Sequence, residues 1–281
     1  LTKIKSREEI IMINRVIRED PSKSGMHNRE PITPKFLWKS MCDYDLWPLY
    51  ILGLTFQIPE ITPNQYLTLT LKGLGFGTFN TNLLVIPSTV LHMVTMLLMT
   101  YAAEVWGELT FTAGIGQFYV LPFLIFIYVK DITKINKWKA FGIMTGLLSY
   151  PSGKFFPSTL LASLRCAAHP IQVAWNSRNS YAVRSRTVSA ALYNMFVQAS
   201  GIIASNIYRA NDAPRYKRGN RVLLSICITN IVLYTLTKVY YVSRNRYRAK
   251  KWDAMSEDDR VNYLATTKDE GNKRLDFRFA H

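Results

Sequence analysis

The 281 residues carry 35 Lys and Arg against 19 Asp and Glu, a formal charge of +16, with 48% hydrophobic residues and a mean hydropathy of +0.01. That charge would suit nucleic acid, but no basic stripe is interleaved with aromatics on a soluble domain, so basic segments beside anionic lipid are the simpler reading and no nucleic-acid partner is expected. Cys42, Cys166 and Cys227 have neither metal-like nor redox-like spacing, which excludes a disulfide framework or a zinc site.

Residues 1–45 read as a cytoplasmic linker. Ser6 and Glu9 form an S-x-x-E capping box ahead of Ile10, Ile11, Ile13, Val16 and Ile17, which predicts an amphipathic helix over 1–20, ended by Asp20-Pro21. Its apolar face suits the membrane surface or a neighbouring domain. The chain begins at Leu1 with charged residues and no signal peptide, so it reads as a piece of a longer protein.

Residues 46–242 hold six apolar stretches, split three and three. Leu83–Ala103, Leu109–Val129, Val188–Ile207 and Val222–Val242 each run 20 or 21 residues and contain no Asp or Glu. About 20 apolar residues in an α-helix cross a ~30 Å hydrocarbon core. The fold class expected is therefore all-α and integral to a membrane, with six transmembrane helices.

Two stretches are interrupted. Leu46–Leu67 contains Pro59, Pro63 and Asn64. Proline removes a backbone donor, and a broken helix persists at membrane depth only where it faces protein or a wet cavity. Glu60 lies about 21 Å along this stretch at 1.5 Å per residue, which suits a solvated mouth or a proton-linked carboxylate. The other, Trp138–Asn176, is 39 residues long and carries Lys154 and Arg165. Removing most of 153–168 leaves one ordinary span. Gly153-Lys154-Phe155 and Cys166-Ala167-Ala168 are codable with a splice donor and acceptor, so 153–168 reads as a translated retained intron, or else as a re-entrant loop.

With both termini cytoplasmic, that side holds 22 Lys and Arg against 10 in the opposite loops, and an even number of spans agrees. Residues 243–281 open on Arg-Asn-Arg-Tyr-Arg-Ala-Lys-Lys and read as a lipid-facing basic stop followed by a mobile or short-helical cytoplasmic tail.

Several strings resemble the fungal allantoate permease-like branch of the major facilitator superfamily, the anion:cation symporter family. They are Tyr66–Phe76 (YLTLTLKGLGF), Phe79–His92 (FNTNLLVIPSTVLH), Ala174–Tyr181 (AWNSRNSY), Arg184–Ile207 and Tyr208–Leu223. The chain departs from that pattern at 153–168 and in the turn Glu104–Glu108, where basic residues are usual. The resemblance implies the C-terminal half of the fold, helices 7 to 12, with the N-terminal six-helix half as a required partner. It also implies proton-coupled uptake of small organic or inorganic anions by alternating access, from a plasma-membrane location. Such transporters bind substrate near the bilayer midplane, between the two halves.

Asn194, Gln198, Gly201 and Ser205 share one helix face, as do Ser88, His92 and Thr95. Asn194 and Gln198 read as substrate-cavity donors or as interhelical hydrogen bonders, and Gly201 with Ser205 as a close-packing pair. An unperturbed histidine exchanges protons near neutrality, which suits His92 to that role, and the alternative is a structural hydrogen bonder. His92 and Glu60 are the candidate proton carriers. Gln57 and Tyr66 bracket the break and are placed with substrate, Tyr66 alternatively as an interfacial anchor. Arg178, in AWNSRNSY, is the candidate cation for an anion leaving at the cytoplasmic mouth, or a positive-inside anchor. No nucleotide loop, metal cluster or nucleophile–base set appears, so neither an enzyme nor a cofactor is expected. The alternative function is a half-transporter that moves nothing and serves as a membrane interaction partner.

Overall fold

A computed structural model describes residues 33–106, 109–149, 168–180, 183–213, 215–267, 269 and 271–281. The helix expected at 1–20 lies outside the described residues, as does the expected insert up to residue 167. Every repeated element among the described residues is helical: α1 (Pro34–Met41), α2 (Trp47–Thr55), α3 (Ile58–Gln65), α4 (Leu67–Gly73), α5 (Thr78–Trp106), α6 (Leu109–Val129), α7 (Lys137–Leu148), α8 (Ala168–Asn179), α9 (Val183–Ser205), α10 (Lys217–Asp253) and α11 (Glu257–Thr266). Among these residues three helices are long and apolar enough to cross a membrane: Leu109–Val129, Ser185–Ser205 and Lys217–Asp253.

The first apolar stretch is three short helices, with breaks at Phe56–Gln57 and at Tyr66. Pro59 has no N–H to offer the Thr55 carbonyl one turn back, so α2 ends there. The freed carbonyls are taken by neighbours. Asn230 Nδ2 donates to Thr55 O at 3.1 Å, and Gln117 Nε2 donates to Phe56 O at 3.0 Å. Asn230 Nδ2 also lies 3.4 Å from Gln117 Oε1, so α6 and α10 support the break as one unit. Further on, Thr62 Oγ1 donates to the Ala204 carbonyl at 3.1 Å, tying α3 to α9.

Lipid is as apolar as leucine, so helices associate through close contact and interhelical hydrogen bonds. α9 meets α2 where Tyr50 stacks on Phe196 at 5.7 Å and Tyr193 lies over Gly53. Tyr193 is fully buried and donates to Gln172 Oε1 at 2.6 Å, and Gln172 Nε2 contacts the Tyr234 hydroxyl, which joins α8, α9 and α10. The other surface of α5 carries exposed Leu83, Val90, Leu97, Leu98 and Tyr101, as a lipid-facing helix would.

At the end bearing Asp45, that fully buried carboxylate faces α10. Arg244 Nε lies at 3.5 Å and Arg248 Nη2 at 3.8 Å, the Tyr240 hydroxyl donates to Asp45 Oδ1, and Tyr241 donates to the Asp45 carbonyl at 2.8 Å. α10 thus continues eleven residues past the expected span end at Val242, its basic run serving as the partner of Asp45. The tail, expected mobile or short-helical, contains the short α11, started by Ser256, and then docks back onto the bundle with Phe279 buried. The docked Asn272 donates to Asp43 at 2.6 Å. Burial lifts the Asp43 carboxyl above its ordinary range, against the pull of that hydrogen bond.

Asn230→Leu should leave the Thr55 carbonyl unpaired and cost about 1–3 kcal/mol, read as a lower unfolding midpoint in detergent. Gly53→Ala would put a Cβ 2.7 Å from the Tyr193 ring. That ring is locked, so a comparable loss of roughly 1–3 kcal/mol is expected from overpacking, checked by the same melt.

Candidate functional site

The break in the first stretch opens a cleft of about 440 Å³ between α3, α5, α9 and the end of α7. Gln57, Glu60, Ile61, Asn64 and Gln65 form one wall, Val85, Ser88, Thr89 and His92 the next, and Leu148 with Val197, Gln198 and Gly201 the rest. Of the seven residues singled out from sequence, four meet here: Gln57, Glu60, His92 and Gln198.

Glu60 and His92 are the cleft's two titratable neighbours among the lining residues. Glu60 Oε1 lies 3.6 Å from His92 Nδ1, with both side chains under one-tenth exposed. The same nitrogen lies 3.4 Å from the Leu148 carbonyl. The last carbonyls of a helix lack intrahelical donors and carry its negative end. α5 and α6 supply partners for the end of α7: His92 for Leu148 O, Thr95 Oγ1 for Ser149 O, and the Tyr119 hydroxyl for Gly146 O at 3.1 Å. Along the Ser88–His92–Thr95 stripe, Ser88 lines the cleft, Thr95 caps the end of α7, and His92 does both. With two acceptors beside it, Nδ1 is placed to carry a hydrogen. A carboxylate and an imidazole at this spacing form an ion pair when the ring is protonated, and lose it when the ring releases its proton.

Gln57 is 2% exposed, and its Nε2 has no hydrogen-bond partner among the described residues. A buried donor left unmet costs about 1–3 kcal/mol, so this amide is ready for an acceptor in the cleft. Gln198, across from it on α9, is exposed and lies on the cleft wall.

The other three candidates sit elsewhere. Asn194 Nδ2 donates to the Ala190 carbonyl of its own helix at 2.9 Å. Tyr66 donates to the Tyr208 carbonyl at 3.2 Å, in an aromatic group with Tyr208 and Tyr216. Arg178 is exposed near the end of α8, away from the cleft. Gly201 differs from expectation too: a Cβ there would meet nothing within 4 Å, so it faces open cleft and not a neighbouring helix.

Reasoning from sequence missed Gln117 and Asn230, the pair that holds the break and so aims Gln57 and Glu60. The signal was there: each is a lone amide in an otherwise apolar run, and polar groups at membrane depth face protein or water. It also missed how AWNSRNSY is used. Asn176 Nδ2 donates to Ser189 Oγ at 3.3 Å and Ser180 Oγ lies 2.6 Å from the same hydroxyl, so these residues brace the turn between α8 and α9. No group of His, Cys, Asp and Glu able to hold a metal ion occurs among the described residues.

No protein-family model and no solved structure matches the chain. It is 42% identical over 274 residues to the Uncharacterized transporter YIL166C of Saccharomyces cerevisiae, covering 98% of this chain and 48% of that protein. It is 40% identical over 230 residues to the Putative uncharacterized transporter YOL162W of the same yeast, covering 82% of this chain and the whole of that protein. The Thiamine pathway transporter THI73, also of Saccharomyces cerevisiae, is 28% identical over 171 residues, 60% of this chain and 29% of that one. The chain thus spans about half the length of the longer relative and the full length of the shorter. With these identities and its apolar helices, the chain belongs to the yeast membrane-transporter family that includes YIL166C and YOL162W.

Proposed function

We propose that the chain is the C-terminal six-helix half of a major facilitator-type transporter and forms one wall of a cavity through which a small organic or inorganic anion is taken up with protons. The observation that carries this reading is the cleft in which Glu60 and His92 face each other beside the unmet Gln57 amide. Gln57 and Gln198 offer donors to an anion, and protonated His92 offers the positive charge. The remaining cavity wall, and further cations, come from the N-terminal half. α5, at 29 residues, is long enough to add a fourth span, and the broken α2–α4 and the α7–α8 pair supply the other two. Both ends then lie on the cytoplasmic side of the plasma membrane, with lipid around the apolar faces and Arg178 at the inner mouth. Asn194 and Tyr66 would join the substrate only after a rearrangement of α9 and of the tyrosine group.

Uptake of radiolabelled carboxylates, ureides, sulfur-containing anions and thiamine-related solutes by cells expressing the full-length protein tests this. Transport should rise as external pH falls from about 7.5 to about 5.5, the range in which histidine titrates. Glu60→Gln and His92→Ala should each lower the maximal rate at least about tenfold and flatten that pH dependence. Gln57→Leu should chiefly raise KM. Uptake that ignores pH, or a Glu60→Gln variant with wild-type rate and pH profile, would sink the proton-coupled reading.

A second reading is a half-transporter that moves nothing by itself. The full cover of the short YOL162W protein by this chain favours keeping it. Expressing the 281-residue chain with and without a complementary six-helix half decides between them: uptake only in the pair supports the transporter, and none in either supports the interaction partner.

A further inference from the structure

The segment Asn272–Ala280 lies across the end of the bundle that bears Asp45. Its anchor is Phe279, 2% exposed, stacked on Tyr241 at 4.9 Å with the Arg248 guanidinium 4.7 Å from its ring centre. Two asparagines grip its backbone, one on each of two helices. Asn245 of α10 donates to the Phe279 carbonyl and accepts the Phe279 N–H, both at 2.8 Å. Asn179 of α8 does the same for Ala280, at 3.2 and 2.8 Å, and Trp175 Nε1 adds a donation to the Ala280 carbonyl at 2.7 Å. Consecutive residues of one extended segment are thus held by different helices, so the segment ties α8 to α10.

The attachment is strong in specificity and small in extent. It has one deeply buried ring and paired amide hydrogen bonds, and α11, which leads to it, buries no side chain. On release the asparagine and tryptophan donors would turn to water, and contacts of this kind open ahead of the core. What they hold matters for the cleft, because α8 runs through the braced turn into α9, which carries Val197, Gln198 and Gly201 into the cleft wall.

We propose that residues 277–280 are a releasable strap that locks α8 against α10 and so restrains the α8–α9 arm of the cleft. This rests on the transport reading for its purpose but not for its physical content. The groove formed by Trp175, Asn179, Tyr241, Asn245 and Arg248 is then a receptor for a short extended segment with an aromatic residue followed by a small one, filled here by the chain's own tail.

Hydrogen–deuterium exchange of the full-length protein in lipid nanodiscs tests the strap. In a chain ended after Asp276, amides of 171–179 should exchange about tenfold faster while α6 keeps its protection. Adding a synthetic peptide of residues 273–281 should restore the slow exchange, and the same peptide carrying Phe279→Ala should not. Phe279→Ala in the intact chain gives the same reading should the shortened chain fail to fold. Exchange of 171–179 unchanged within about twofold in both variants would overturn the proposal, as would faster exchange spreading through α6, which would make the tail an ordinary part of the core. Uptake in the same variants separates the two readings: loss of protection with unaltered uptake removes the restraint on the arm and leaves transport standing.

Discussion

Pro59 has no backbone hydrogen to give the Thr55 carbonyl, and a buried carbonyl left without a donor is costly. A chain broken in that position needs a donor from another helix or from water. This chain finds two, Asn230 and Gln117, each on a helix long and apolar enough to span. From that pairing follow the placement of α3, the burial of Gln57 and Glu60, and the cleft itself. The same amides join α6 to α10, so what holds the irregular helix open also holds two regular ones together. Break and bundle are one structural unit.

A second backbone interruption meets the first across the cleft. α7 stops at Leu148, and its last carbonyls, like those at Thr55 and Phe56, lack donors within their own helix. His92 and Thr95 serve them from α5. His92 is therefore placed by structural need, and the ring held by a helix-end carbonyl has Glu60 as its other neighbour. One nitrogen, Nδ1, faces both acceptors.

Much of this was legible in the sequence. Length without charge marked α6 at its observed bounds, Leu109–Val129. The prolines marked the first stretch as broken, though they do not say where the chain resumes, because the stopping point depends on which carbonyls find donors elsewhere. Helical spacing grouped Ser88, His92 and Thr95 correctly on one face. It could not tell that Asn194 bonds within its own helix while Gln198, one turn on, lies on the cleft wall. Period fixes which residues share a face but leaves open what that face meets. The tail was harder still. Its charged composition suggested a solvated end, and its docking depends on two asparagines and a tryptophan about 30 to 100 residues away.

Gly201 leaves a different mark on the family's prospects. It sits in the cleft wall on a regular helix, and added side-chain atoms would enter empty space. Elsewhere in the bundle a larger residue collides, as at Gly53 beneath Tyr193. At position 201 a methyl group meets no clash and improves helix propensity by about 0.5–1 kcal/mol, so the fold accepts it while the cleft narrows. The width of this cleft can therefore change by single substitutions at one wall position without a steric cost to the fold.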